Sequence, residues 1–251
     1  LALIDTLNGN GVTPCMLGIS DPWPGTIPYM MLFNRLNGND LYEKVILNKE
    51  ADFTNEAFVK AGEYLQELVN RKMFNESIVA ISQEEAQNKF IAGESAMIID
   101  GSWSVPLYAD ALGEDVGIFN FPDIEGGVGS SNDWLMNFDE GYAISSGTKN
   151  QAAAEAFLAF MFSPERQAAY AETGALIACQ NVDFDTTKIN SLTTDVLDAF
   201  EGASYSMIPW DNPLGTDVGA ELNNATMAMI MGEDVSEQLE RLQEYAVDAW
   251  E

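Results

Sequence analysis

The chain has 251 residues, 47% of them hydrophobic, enough for one large or two modest domains with a core that needs no staples. Its 40 acidic and 11 basic residues leave a formal charge of −29, so it lacks the basic footprint needed by a nucleic acid, an anionic membrane face or a phosphorylated ligand. It has no histidine, which removes Ser-His-Asp and Cys-His catalysis and the commonest zinc ligand. The acidic excess reads first as a solvated surface. Cys15 and Cys179 lie far apart in apolar settings; two buried free thiols are the expectation, with a disulfide as the alternative. No apolar run approaches the roughly 20 residues that span a bilayer. The chain opens at Leu1 inside what reads as a helix, which predicts a mature or truncated piece whose missing leader says little about location.

In chain order, residues 1–7 read as a helix tail closed by N-G-N-G, and 13–19 as a strand. D-P-W-P-G at 21–25 is expected to be loop, with helix resuming over 27–36. A long amphipathic helix starts after Asn55, with Phe58, Ala61, Leu65 and Leu68 on one face. Ser82 and Glu85 form a capping box for a helix reaching Gly93. Strands follow at 95–99, at 116–121 (ended by Pro122) and at 141–145, with a Gly/Ser loop at 123–132. A helix over 151–162 should turn Ala153, Phe157, Phe160 and Met161 inward, and Ser163-Pro164-Glu165 starts the next. Helices over 191–200, 217–231 and 234–250 close the chain. Alternating strands and helices predict an α/β layered fold.

Three segments carry a family resemblance: G-E-S-A-M-I-I-D-G-S-W at 93–103, G-Y-A-I-S at 141–145, and K-N-x-A-A-A-E-A-F-L followed by S-P-E-R at 149–166. In this order and at these intervals they resemble the extracellular solute-binding proteins of ABC importers, family 1, the sugar-binding and maltose-binding-protein-like kind, over the C-terminal two-thirds. The resemblance implies an α/β lobe of the type II periplasmic-binding-protein fold, with the N-terminal lobe largely absent. Residues 1–139 and 184–251 would form the C-terminal lobe. Residues 140–183 would cross over to complete the N-terminal one, leaving part of their apolar surface exposed if that lobe is missing. It also implies a carbohydrate ligand, delivery to the transmembrane permease subunits, an extracellular, cell-surface or periplasmic location with a lipid anchor on the full-length protein, and a monomer. No cofactor, metal or catalytic residue is expected.

A sugar offers apolar faces to aromatic rings and hydroxyls to carboxylates. Trp103, just past the 95–99 strand, is the first candidate, because ligands of open α/β sheets bind outside the carboxyl ends of strands. Trp23 and Asp21 follow the first strand, held between prolines. Trp210 and Asp211, in I-P-W-D-N-P, form a similar rigid segment, and Asp139 precedes the 141–145 strand. Trp134 is a weaker candidate to close over the site, and Trp250 reads as helix packing.

E-G-G-V-G-S-S at 125–131 lacks the lysine of a phosphate loop, and Asp183 with Asp185 lacks the spacing of a calcium loop. The glycosylation patterns at Asn75 and Asn224 sit in or beside helices and read as chance. Met227, Met229 and Met231 read as core filler. Rival readings are a glycoside hydrolase with two carboxylates from Asp21, Asp100, Asp139 and Asp211, a receptor for a non-sugar such as a polyamine, and a surface interaction protein that binds no small molecule.

Overall fold

The computed structural model describes residues 1–136, 141–177 and 182–250. In chain order the elements are α1 (Ala2–Gly9), β1 (Thr13–Met16), α2 (Trp23–Asn37), α3 (Asp40–Tyr42), α4 (Glu56–Asn70), α5 (Gln83–Ile91) and β2 (Ser95–Ile98). Then come α6 (Val105–Leu112), β3 (Asp133–Leu135), α7 (Gln151–Met161), α8 (Pro164–Ala171), α9 (Ser191–Glu201), β4 (Tyr205–Met207), α10 (Asp211–Leu214), α11 (Thr216–Ile230) and α12 (Val235–Trp250). A π-helical turn, Glu43–Leu47, continues α3. The chain divides into two compact units: Leu1–Ile99, Asn120–Met136 and Ser204–Glu251 form the first, and Asp100–Phe119 with Asn137–Ala203 the second.

In the first unit β1 pairs with β2 in parallel, Thr13 opposite Ser95 and Cys15 opposite Met97, and β3 pairs with β4 in parallel, Asp133 opposite Tyr205. Helices α2, α4, α11 and α12 pack with one another over one core. Helix α4 buries Phe58, Ala61, Leu65 and Leu68 as its periodicity predicts, and the Asn55 side chain caps it by accepting from the Ala57 N–H at 3.1 Å. Ser82 and Glu85 form the expected reciprocal box on α5, at 3.1 and 2.8 Å. Helix α2 is buried almost all round, which is why it shows so weak an amphipathic pattern. Its core contacts centre on Trp210, ringed by Phe33, Phe58, Tyr29 and Tyr42 with centroids 5.0, 5.7, 5.8 and 6.1 Å away.

Two buried charges lie where the last turn of α2 meets β3. Arg35, 0% exposed, donates to the carbonyls of Phe121 and Asp133 and to the Asn34 side chain. Asp133, 4% exposed, accepts from Asn34 at 3.0 Å, Asn39 at 3.1 Å and Ser204 at 2.8 Å. Burial opposes ionisation of Asp133, but the donors of Asn34, Ser204 and Asn39 and the Ser130 backbone together hold its carboxyl below the usual range. Asn34 therefore bridges the two charges. The loop from 121 to 133 lies against this turn so closely that a Cβ on Gly129 would sit 2.0 Å from the Asn34 carbonyl oxygen.

The second unit holds α6 to α9. Helix α6 packs against α9, and its small core includes Val105, Tyr108, Ala171, Leu192 and Val196. Ser163 and Asn190 cap α8 and α9 through the N–H groups of Arg166 and Thr193.

Five expectations fail. Met231, read as core filler, stands 62% exposed just past the end of α11. The other four each have a local reason. Helix α2 begins at Trp23, not after Gly25. Prolines are tolerated in a first turn, whose N–H groups have no helical acceptor anyway, so Pro24 reads as a start signal. Residues 116–121 form no strand: the carbonyl of Phe121 goes to Arg35 and not to a neighbouring strand. Residues 141–145 form none either; an apolar segment becomes a strand only with a partner to take its backbone groups. Helix α7 forms as expected but buries none of its residues, and Phe157 and Phe160 stand 55% and 54% exposed.

Candidate ligand-binding site

The segments leaving the carboxyl ends of β1 and β4 meet in the first unit. Beyond β1 the chain is pinned by side chains: Asn75 accepts from the Leu17 N–H at 2.9 Å and Gln83 from the Gly18 N–H at 3.2 Å. Gln83 also donates to the Ile99 carbonyl at 2.9 Å, tying the exits of β1 and β2 together. Asn75, 9% exposed, is thus a structural residue, as its burial already argues against a glycan. Gly18 must stay small, since a Cβ there would lie 2.1 Å from the Ser82 carbonyl oxygen. This frame presents Asp21, exposed, and Trp23, half-buried at the start of α2.

Beyond β4, the Tyr42 hydroxyl accepts from the Ile208 N–H at 2.9 Å and donates back to its carbonyl at 3.3 Å. Burial raises the Tyr42 pKa, so the phenol stays protonated and keeps this donor. The Trp210 indole then fills the aromatic core at 0% exposure, and its ring N–H finds no acceptor among the described residues. Asp211 opens α10 with its backbone against α11, where Gly219 leaves room: a Cβ there would fall 2.4 Å from the Asp211 carbonyl oxygen. Asn223, one turn further along α11, donates to the Asp211 carboxylate at 3.3 Å and accepts from the Thr26 hydroxyl at 2.6 Å. Thr26 belongs to the first turn of α2, three residues after Trp23.

The structure therefore joins Asp211 to the Trp23 turn through Asn223, and it places Trp210 behind them as packing. Asn223 was missed in the sequence; the available signal was its i,i+4 spacing from Gly219 on one helix face. Trp134 lies half-buried within β3, and Trp250 packs on Phe53 with centroids 6.1 Å apart, as expected of a helix-packing residue. Asp139 and Cys179 lie outside the described residues. Cys15 is a free thiol, and burial pushes its pKa up to about 12.

In the second unit, Trp103 sits on a 3₁₀ turn, Ser102–Ser104, with 58% of its surface exposed. Its ring lies over Gly101, so close that a Cβ there would meet it at 2.2 Å. The adjacent Asp100 accepts from the Gly101 N–H at 2.8 Å and from the Tyr108 hydroxyl at 2.5 Å. Burial, then the Asp100 charge, push the Tyr108 pKa upward, so the phenol remains a donor. An exposed indole on a backbone braced by a carboxylate suits the apolar face of a sugar ring.

Two hollows lie elsewhere. One of about 480 Å³ at the other end of α2 is lined by Asn37, Asn39, Asp40, Glu43, Asp133 and Tyr205. One of about 270 Å³ in the second unit is apolar, lined by Tyr142, Ile144, Ala154, Phe157 and Leu158 among others. Among the described residues no group of three or more Cys, Asp or Glu could hold a metal ion, and no helix is long and apolar enough to cross a membrane.

Parallel strand pairs under helices, with polar and aromatic groups past the strand ends, make this an α/β fold, and its likeness to solved structures places it in the type II periplasmic-binding-protein kind. The same fold appears in a solved structure from work on xylan utilization by Caldanaerobius polysaccharolyticus, 25% identical with a TM-score of 0.82 over 96% of this chain and 63% of that one. It appears again in a chitin oligosaccharide binding protein, 22% identical with a TM-score of 0.87 over 98% of this chain and 62% of that one. Residues 1–168 match the bacterial extracellular solute-binding proteins, and the chain belongs to that family. It is also 33% identical, over 103 residues, to an uncharacterized ABC transporter extracellular-binding protein of Pyrococcus horikoshii, spanning 41% of this chain and 23% of that protein. The chain thus spans under two thirds of the length of the relatives it matches.

Proposed function

We propose that this protein is a carbohydrate receptor of an ABC importer, binding a mono- or oligosaccharide and passing it to transmembrane permease subunits without chemistry. The observation that carries the reading is Trp103, a large indole held 58% exposed on a braced turn. Isolated exposed aromatics are ordinary, but a rigid one beside a carboxylate is what a sugar face and its hydroxyls require. Asp21, Trp23 and Asp211 supply the same pair of chemistries in the first unit. Two solved relatives, one from work on xylan utilization and one a chitin oligosaccharide binding protein, support the ligand class. The receptor acts outside the cell membrane or in the periplasm, lipid-anchored in its full-length form, as a monomer.

In this reading residues 1–139 and 184–251 serve one lobe, while 140–183 complete another. Helix α7, with none of its residues buried, supports that assignment, as do the exposed rings of Tyr142, Phe162 and Tyr170.

A thermal-shift screen against xylo-, chito- and galacto-oligosaccharides and spermidine tests the reading. A ligand at 100 times its Kd adds about 2.7 kcal/mol to the native state, a rise of several degrees. An oligosaccharide that raises the melting point is expected. A rise with spermidine alone, or with nothing, refutes it.

A further inference from the structure

We propose that Asn223 is a positioning residue for the ligand site, fixing the direction of the Asp211 carboxylate. The inference rests on the reading that Asp211 and Trp23 hold the ligand. Three contacts carry it. The Asn223 amide donates to Asp211 Oδ2 at 3.3 Å, and its carbonyl accepts from Thr26, 1% exposed, at 2.6 Å. Gly219, on the same face of α11, lets the Asp211 backbone come within 2.4 Å of where a Cβ would be. Backbone approach thus fixes where α10 starts, and Asn223 fixes where its first carboxylate points.

The chemistry follows from the amide's two ends. Thr26 and Asp211 are 185 positions apart, and only a side chain with both an acceptor and a donor joins a hydroxyl to a carboxylate in this way. With Oδ2 turned toward Asn223, the carboxylate presents Oδ1 in a fixed direction to a hydroxyl donor. Holding that direction before the ligand arrives removes an ordering cost from binding. Aspartate at 223 has nearly the same shape and keeps the acceptor for Thr26, but it turns the donor toward Asp211 into a second carboxylate. Two like charges at hydrogen-bond distance swing apart, and Asp211 leaves its direction.

Isothermal titration of the 251-residue chain with xylotriose, diacetylchitobiose and raffinose tests this, with urea midpoints measured for every variant. Asn223→Asp is expected to weaken the best probe at least about tenfold, the scale of one charge-assisted hydrogen bond. Thr26→Val breaks the other bond and leaves Asp211 held, so it should weaken the probe less than about threefold for a similar loss of stability. Affinity that merely tracks stability across the two variants overturns the inference, because a structural role moves both together. Should Asn223→Asp fail to fold, Asn223→Ser removes the amide without adding charge and is read the same way. Asp211→Asn separates the two levels. If it loses binding while Asn223→Asp does not, the inference fails and the functional reading stands. If it binds normally, Asp211 is no ligand contact and the inference fails while the carbohydrate reading stands; if the unsubstituted chain binds no probe, the functional reading fails and the inference with it.

Discussion

Replacing Trp210 by alanine removes an indole that four other rings enclose, at centroid distances between 5.0 and 6.1 Å. Truncating a buried tryptophan costs about 3–5 kcal/mol through lost transfer energy and the cavity left behind. Paired rings at these separations add about 0.5–1.5 kcal/mol beyond area, which puts Trp210→Ala near the top of that range. At about 2–4 °C per kcal/mol for a chain of this size, the melting point should fall roughly 10–20 °C. Urea denaturation followed by far-UV circular dichroism gives the free energy directly, and Trp103→Ala is the control. Trp103 is 58% exposed, so its loss should cost under about 1 kcal/mol. A Trp210→Ala loss as small as the control's would refute the packing argument and return that ring to the ligand candidates.

Asp133 titrates below the usual carboxylate range, so its share of stability is present above about pH 3.9 and disappears as pH falls through its lowered folded value. Asp133→Asn should be less stable than the parent at pH 7, and the gap should narrow toward pH 2; an unchanged gap refutes this. In a Cys179→Ser background, the Cys15 thiol should ignore a disulfide reagent at pH 8 until urea unfolds the chain, because burial raises its pKa to about 12. Phe157→Glu with Phe160→Glu should change stability by about 1 kcal/mol or less and lower the binding of a hydrophobic dye, since both rings stand more than half exposed, even though the Arg166 guanidinium, 5.1 Å from the Phe160 ring centroid, loses its cation–π contact. A loss of several kcal/mol would mean that α7 is packed.

Local chemistry was legible in the sequence wherever it sufficed. The Ser82–Glu85 box, the α4 stripe and the strand at 95–98 depend on spacings a few residues long. The failures share a different cause. Residues 116–121 and 141–145 carry apolar residues that fit a strand, but a strand also needs a partner, and that is a tertiary fact. The prolines around Trp23 and Trp210 looked alike, yet one tryptophan is half-buried at a helix start and the other sits deep in the core. Nothing within five residues distinguishes them; the aromatic partners of Trp210 come from α2, α4 and the turn at Tyr42. Asn223 escaped notice because an amide in a helix reads as its solvated face until Thr26 and Asp211 arrive from distant parts of the chain.

The central claim is that a braced, exposed indole anchors a sugar. Titration calorimetry of the chain and of Trp103→Ala with the oligosaccharide that gives the largest thermal shift tests it most directly. The account predicts saturable binding at one site per chain and a loss of at least about 2 kcal/mol, a Kd some 30-fold weaker, on removing the ring. Equal affinity in the two proteins, or heat of binding from no oligosaccharide, would contradict it.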